Sequence, residues 1–453
     1  MSQFIQATNG RGVVAHRRSD AEINFYLQLL SSNHSLTAQA SAVEYFRHLL
    51  IQDHVPPTFI ADTLYDFTSN GGLEELIACA SENDGEIRDQ VFWTLGNIAL
   101  DCSLCRTKVR ETIALPLMIE MLVSPAFIDS KWKHNLVWAL SQIVRGGIHT
   151  LDIVFVQSAL RGLCSVLHLG DSKLKIDAVW AIAYIADDAV GGIQIDAVLH
   201  TPQLLHQLLE LVECKETRRP ALRALGSLVA GGDDQTQIVL DAGLLPRVIK
   251  VFRNNIAIGQ KREIVWILSN IAAGSSEQID MLFDTDGIVE LLMNTFDCDD
   301  CRIRKEVGWT VANALTGANI DRSRWLCSSN ILHIVPELLN LRNERNLIER
   351  TLFALEVLVE KRITHIPVLQ YYKILQKVRE IAESSPFDTI IKIRAERILY
   401  KENVYKKHII PANTYSLNVA FVTFQFSEQI SVLPSSFVKE FGFETAADFV
   451  PSA

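Results

Sequence analysis

The stretch VFWTLGNIALD (91–101) is written again and again along this chain. It returns as LVWALSQIVRGG (136–147), AVWAIAYIADD (178–188), IVWILSNIAAG (264–274) and VGWTVANALTG (307–317). A further copy, ALRALGSLVAGG (221–232), carries Arg223 where the others carry tryptophan. Successive copies of that position lie 45, 42, 43, 43 and 43 residues apart. Five of the seven tryptophans, Trp93, Trp138, Trp180, Trp266 and Trp309, fall in this single register. A fixed period of about 40–47 residues marks a helical repeat array.

The text between the copies also agrees. IVLDAGLLPRVIKVF (238–252), MLFDTDGIVELLMNTF (281–296) and WLCSSNILHIVPELLNL (325–341) each read as a short helix, a break with Gly or Asn, and an apolar helix of period near 3.6. Each repeat therefore has three helices, the third bearing the tryptophan. Three helices per repeat is the armadillo pattern rather than the two-helix HEAT pattern. The expected fold is all-α, a right-handed armadillo-repeat superhelical solenoid. A repeat cannot bury its apolar face alone, so neighbours stack and their third helices line one concave groove.

Length and composition fit this. A chain of 453 residues exceeds what one hydrophobic core supports, about 250–300 residues, but suits an array that grows in one dimension. The apolar fraction of 48% excludes a disordered chain. The net charge of −10 argues against nucleic acid as partner, since phosphate binding needs clustered Lys and Arg. It favours basic partners. No apolar run reaches the roughly 20 residues of a membrane span, so no membrane partner is expected. The N-terminal text MSQFIQATNGRGVVAHRRSD has no apolar core of the kind a secretory signal needs.

Four residues after each ladder position stands a second group, on the same helix face. The pairs are Trp93/Asn97, Trp138/Gln142, Trp180/Tyr184, Arg223/Ser227, Trp266/Asn270 and Trp309/Asn313. Leu95, Ile98, Leu140, Ile143, Ile182, Ile185, Ile267 and Ile271 point to other faces and supply core. An amide beside a large ring suits an extended peptide, whose backbone it holds by donor and acceptor. Successive rings form slots for Lys or Arg stems, with a cation–π contribution. Asp177, Glu263 and Glu306, each three residues before a ring, and Asp101, at the end of the first copy, are placed to read the cationic ends. A single periodic tryptophan is often only core. Ring, amide and acid recurring together favour a binding surface.

These sentences resemble the importin-α family, adaptors that bind nuclear localisation signals. The resemblance spans roughly 41 to 400 and is most specific in VFWTLGNIALDCSLCR, ALRALGSLVAGGDDQTQIVLDAG and RKEVGWTVANALTG. It implies a Trp/Asn groove binding Lys/Arg-rich signal peptides at two sites, with residence in cytoplasm and nucleus. The major site would comprise Trp93, Asn97, Asp101, Trp138, Gln142 and Arg145, with Gln142 standing where the family has Asn. The minor site would comprise Trp180, Tyr184, Arg223, Glu263, Trp266, Ser269, Asn270, Glu306, Trp309 and Asn313. SAVEYFRHLLIQDHVPP (41–57) resembles the family's first repeat, and the next Trp/Asn repeat of the family is missing before Trp93.

The family's N-terminal segment is basic and binds importin-β. Here the first lysine is Lys108, and Arg11, Arg17 and Arg18 are the basic residues of the first twenty. Importin-β is therefore not expected as a direct partner. After Pro411, SLNVAFVTFQF alternates like a strand and no acidic run follows. The family's export receptor is likewise not expected. Three regions follow: 1–40, partly helical or disordered; 41–405, the array of about nine repeats; and 406–453, a divergent tail, disordered or loosely packed, with a small partner-binding strand as the alternative.

The chain lacks GxSxG, Walker A, HExxH and Rossmann signatures, so no enzyme and no cofactor is expected. The GlyGly pairs at 146/147, 191/192 and 231/232 read as helix C-caps rather than phosphate loops. The CxxC spacings Cys102/Cys105 and Cys298/Cys301 lie nearly 200 residues apart, so no metal site is expected. Two other readings stay open: an armadillo scaffold outside nuclear transport, and a cargo-sequestering regulator not itself competent for importin-β-dependent import.

Overall fold

The computed structural model describes residues 20–30, 34–49, 71–82, 85–101, 103–146, 152–187, 192–254, 256–297, 300–384 and 389–409. These residues form helices and no strand. The expected strand near 416–426 and the N-terminal residues Arg11, Arg17 and Arg18 lie outside them. So do Cys102 and Cys298, one member of each CxxC pair.

The chain divides into two compact units, Met1–Leu204 and Leu205–Ala453. The first holds the Trp93 helix (Glu86–Asp101), the Trp138 helix (Lys133–Val144) and the Trp180 helix (Ser172–Ile185), packed side by side in that order. The helix Leu36–Leu49 packs directly on the Trp93 helix. The helix Asp20–Leu30 packs on Leu36–Leu49, with Leu30 fully buried and the Tyr26 and Tyr45 rings stacked at 3.8 Å. The helix Leu36–Leu49 thus runs across the expected boundary at residue 40.

The second unit stacks the Arg223 helix (Arg218–Leu228), the Trp266 helix (Ile258–Ala272), the Trp309 helix (Cys301–Gly317), and then Arg345–Glu360 and Thr389–Ile409, each on the next. Three helices per repeat are complete in Asp233–Asp241, Leu244–Phe252 and Ile258–Ala272, and again in Ser276–Asp284, Ile288–Phe296 and Cys301–Gly317. The sequence shows why the breaks fall where they do. Gly243 and Gly287 adopt φ of 89° and 91° between first and second helices, a conformation that strains any other L-residue. Ser275 and Gln278 close a capping box on Ser276–Asp284, and Asp300 accepts from the Arg302 and Ile303 amides at the start of the Trp309 helix.

The glycine pairs differ from one another. Gly146, at φ 86°, follows the Trp138 helix as a left-handed cap. Gly192, at φ 72°, instead precedes Ile193–Leu199, and Gly232, at φ −71°, is the extended residue before Asp233–Asp241. For these two the C-cap reading is corrected: they stand at the N-terminus of the following helix.

Candidate functional site

The ladder follows from packing. Leu95, Ile98, Leu140, Ile143, Ile182, Ile185, Ile267 and Ile271 are all buried, so each third helix is fixed by its core faces. The five ladder tryptophans are half-buried, each keeping part of its ring at the surface. The seats of Trp138 and Trp266 are made by glycines on the preceding third helix. A Cβ at Gly96 would stand 2.4 Å from Cζ3 of Trp138, and one at Gly226 would stand 2.4 Å from Cζ3 of Trp266. The residue three after every ladder position is small: Gly96, Ser141, Ala183, Gly226, Ser269 and Ala312. Of these the sequence reading singled out only Ser269, through the family resemblance, and missed the recurring requirement.

In the first unit, Asn97 donates its Nδ2–H to the Trp93 carbonyl at 3.0 Å, and Gln142 donates to the Ser141 hydroxyl at 3.0 Å. The rings of Trp180 and Tyr184 stack at 5.5 Å and 24°. Arg145 is exposed, and its carbonyl accepts from Arg110. The Asp101 side chain lies outside the described residues. A polar cluster flanks the rings. His134 pairs with Asp171 at 2.6 Å, and Asp171 also caps the Trp180 helix by accepting from the Leu174 amide at 3.0 Å. That amide and His134 hold the Asp171 carboxyl below its ordinary range. Asp177, three residues before Trp180, behaves oppositely. Burial pushes its pKa up to about 6, with Lys173 and His134 opposing and Asp171 adding to the rise. Asp89 is raised for the same reason, although Asn135 donates to it at 2.8 Å.

In the second unit, the Arg223 guanidinium lies 4.4 Å from the centre of the Trp266 ring and 3.8 Å from the Glu263 carboxylate. Arg219 approaches Glu263 at 3.9 Å. Burial still raises the Glu263 pKa against both cations. Glu306, three before Trp309, accepts from the Ser269 hydroxyl at 2.7 Å, which ties two repeats together. Asn270 donates to the Gly226 carbonyl at 3.3 Å, and Asn313 accepts from Arg350 Nε at 3.2 Å. The next copy of the ladder position is Phe353, half-buried like the tryptophans. Three residues on stands Glu356 in place of a small residue, buried and paired with Arg394 at 2.8 Å and Arg397 at 3.1 Å.

No family model matches the chain. Curated relatives do. The importin subunit alpha-1a of Oryza sativa subsp. japonica is 30% identical over 228 residues, 50% of this chain and 42% of that protein. The importin subunit alpha-8 of Arabidopsis thaliana is 27% identical over 290 residues, 64% of each chain. Over these stretches the chain is similar to importin-α subunits. It spans less than two thirds of the length of these relatives. Among solved structures, an engineered protein matches at a TM-score of 0.69 and 20% identity over 84% of this chain and 88% of its own, a likeness of fold.

In the second unit the neighbouring Trp266 and Trp309 helices each carry acid, ring and amide together, whereas in the first unit the amides Asn97 and Gln142 and the carboxylate of Asp177 are spread over three neighbouring third helices. Chemically this surface is fitted for elongated, cationic, hydrogen-bonding ligands. The half-buried rings offer π-faces, the carboxylates stand three residues before them, and the amides four after. Among the described residues no cluster of His, Cys, Asp and Glu is grouped to hold a metal ion.

Proposed function

We propose that this protein is an adaptor that binds Lys/Arg-rich nuclear localisation signals on its Trp/Asn ladder for protein import into the nucleus, moving between cytoplasm and nucleus. The observation that carries this reading is the half-buried ring with a partly buried carboxylate three residues before it, repeated at Trp180, Trp266 and Trp309. Lys and Arg stems lie between rings, the carboxylates meet their charged ends, and Asn97, Gln142, Asn270 and Asn313 hold the peptide backbone. An acceptor remains on Gln142 and Asn270 after the donor bonds described above, and donors remain on Asn313.

Isothermal titration with a Lys-rich signal peptide tests the proposal. Wild type binds, and Trp266→Ala with Trp309→Ala removes at least about 2 kcal/mol of binding free energy, the scale of hot-spot truncations. Equal affinity of the double variant overturns the second-unit site. An import assay in permeabilised cells, with and without importin-β, then separates an import adaptor from a cargo-sequestering regulator.

A further inference from the structure

The helix Leu36–Leu49 ends beside the first ring of the ladder, and one of its side chains meets that ring. The Arg47 guanidinium lies 5.5 Å from the centre of Trp93. Its Nη1 donates at 2.5 Å to Oε1 of Gln90, the residue three before Trp93. In the second unit, Arg223, Trp266 and Glu263 hold the same three roles: guanidinium from the preceding third helix, ring, and acceptor three residues before the ring. Arg394 on Phe353, at 4.7 Å, with Glu356 as acceptor, is a further case approached from the following helix. Ring faces of this ladder thus take guanidinium groups from the chain's own helices.

We propose that Trp93 and Gln90 form a subsite for a guanidinium or alkylammonium group, and that Arg47 is its resident occupant. The retention of Arg47 differs from that of Arg223. Arg223 faces the carboxylate of Glu263. Arg47 faces a neutral amide, and its buried Nε finds no acceptor among the described residues. Its hold comes from the ring, the bond to the Gln90 amide, a 3.3 Å contact of Nη2 with the exposed His48 ring, and the tether. A tethered group competes at an effective concentration of about millimolar or more, so a ligand's side chain does not readily displace it. On the peptide-binding reading, Arg47 therefore sets how long a basic run the first unit reads: the run begins after Trp93, at the slots of Trp138 and Trp180. Gln90, being uncharged, would accept a lysine or an arginine equally once Arg47 is removed.

The test uses the full chain and the variant Arg47→Ala, with Arg47→Gln as a second variant that keeps more of the stem against the helix should the first fail to fold. Two probes are used: a pair of Lys-rich peptides differing by one lysine at the end that would reach Trp93, and methylguanidinium chloride. The expected result is a gain of roughly two- to five-fold in affinity for the longer peptide only, the range of an exposed cation–π contact. Methylguanidinium is expected to raise the melting temperature of the variants and not of wild type, and to lose that effect when Trp93→Ala is added. If the longer peptide gains nothing and methylguanidinium treats wild type and variants alike, the subsite is overturned. If no protein binds either peptide while methylguanidinium still separates the variants from wild type, the subsite stands and the peptide-adaptor reading falls.

Discussion

Asp177 in the first unit and Glu263 and Glu306 in the second occupy the same place in their repeats, three residues before a ring, yet their surroundings differ. Glu263 faces Arg223 and Arg219, and Glu306 accepts a hydroxyl from the neighbouring repeat. Asp177 is half-buried with no Lys, Arg or His nitrogen of the described residues within ion-pair distance, and its pKa is pushed up to about 6. The second unit gives its acids partners of its own, although burial still raises the Glu263 pKa. The first holds one acid in a state of tension that a ligand's cation would relieve. Equal positions in a repeat therefore differ in the partners that packing gives them.

The largest effect is expected where the rings are seated. Gly226→Val in the second unit and Gly96→Val in the first should each destabilise by about 3 kcal/mol, since the new side chain lands on Trp266 or Trp138. Thermal unfolding reads this, and an unchanged midpoint in either variant would show that the ring moves aside freely. Asp177→Asn comes next and has the opposite sign. The carboxyl is protonated in both folded and unfolded chains well below its ordinary pKa of 3.8. As pH rises from there through about 6, the unfolded chain ionises first, and folding becomes progressively disfavoured. Above that window the penalty is complete, so Asp177→Asn should stabilise by on the order of 2 kcal/mol at neutral pH and by nothing near pH 3. A stability gain that does not change with pH would remove the contrast with Glu306.

Binding should report the same carboxyl. With a pKa of about 6, most of Asp177 is neutral at pH 5.5. The first unit's affinity for a Lys-rich peptide should then fall about four-fold between pH 7.5 and 5.5, as the ionised fraction falls, with protons released on binding within that range. Titration in two buffers of different ionisation enthalpy measures those protons. Gln142→Asn is the smallest change expected, about 0.5 kcal/mol in favour of peptide binding, because the shorter amide stands where Asn97, Asn270 and Asn313 stand in their repeats. A loss instead would mean that the Gln142–Ser141 hydrogen bond organises the site.

Much of this was legible in the sequence because repetition does the work of an alignment. The register of Trp93, Trp138, Trp180, Trp266 and Trp309 located the third helices, and their half-burial follows from the same spacing. The small residue three after each ring was equally periodic, but Gly, Ser and Ala carry no chemistry that draws notice until a neighbouring ring is placed on them. The contacts of Arg47 with Trp93 and of Arg350 with Asn313 were not legible, since they join side chains 46 and 37 residues apart whose meeting depends on how adjacent helices are offset. The pKa of Asp177 was not legible either. Its position is shared with Glu263 and Glu306, and only the burial and neighbours that tertiary packing supplies set it apart.

The seats at Gly96 and Gly226 have a consequence for how such a molecule is inherited and rebuilt. Trp138 and Trp266 fit only because the repeat before each kept a hydrogen in place of a side chain. The interchangeable part is therefore not the repeat, cut at its loops, but the joint from one glycine to the next ring. A duplication or graft that respects loop boundaries and ignores the joint would bring a ring onto an occupied seat. One that moves seat and ring together would lengthen the ladder by a rung.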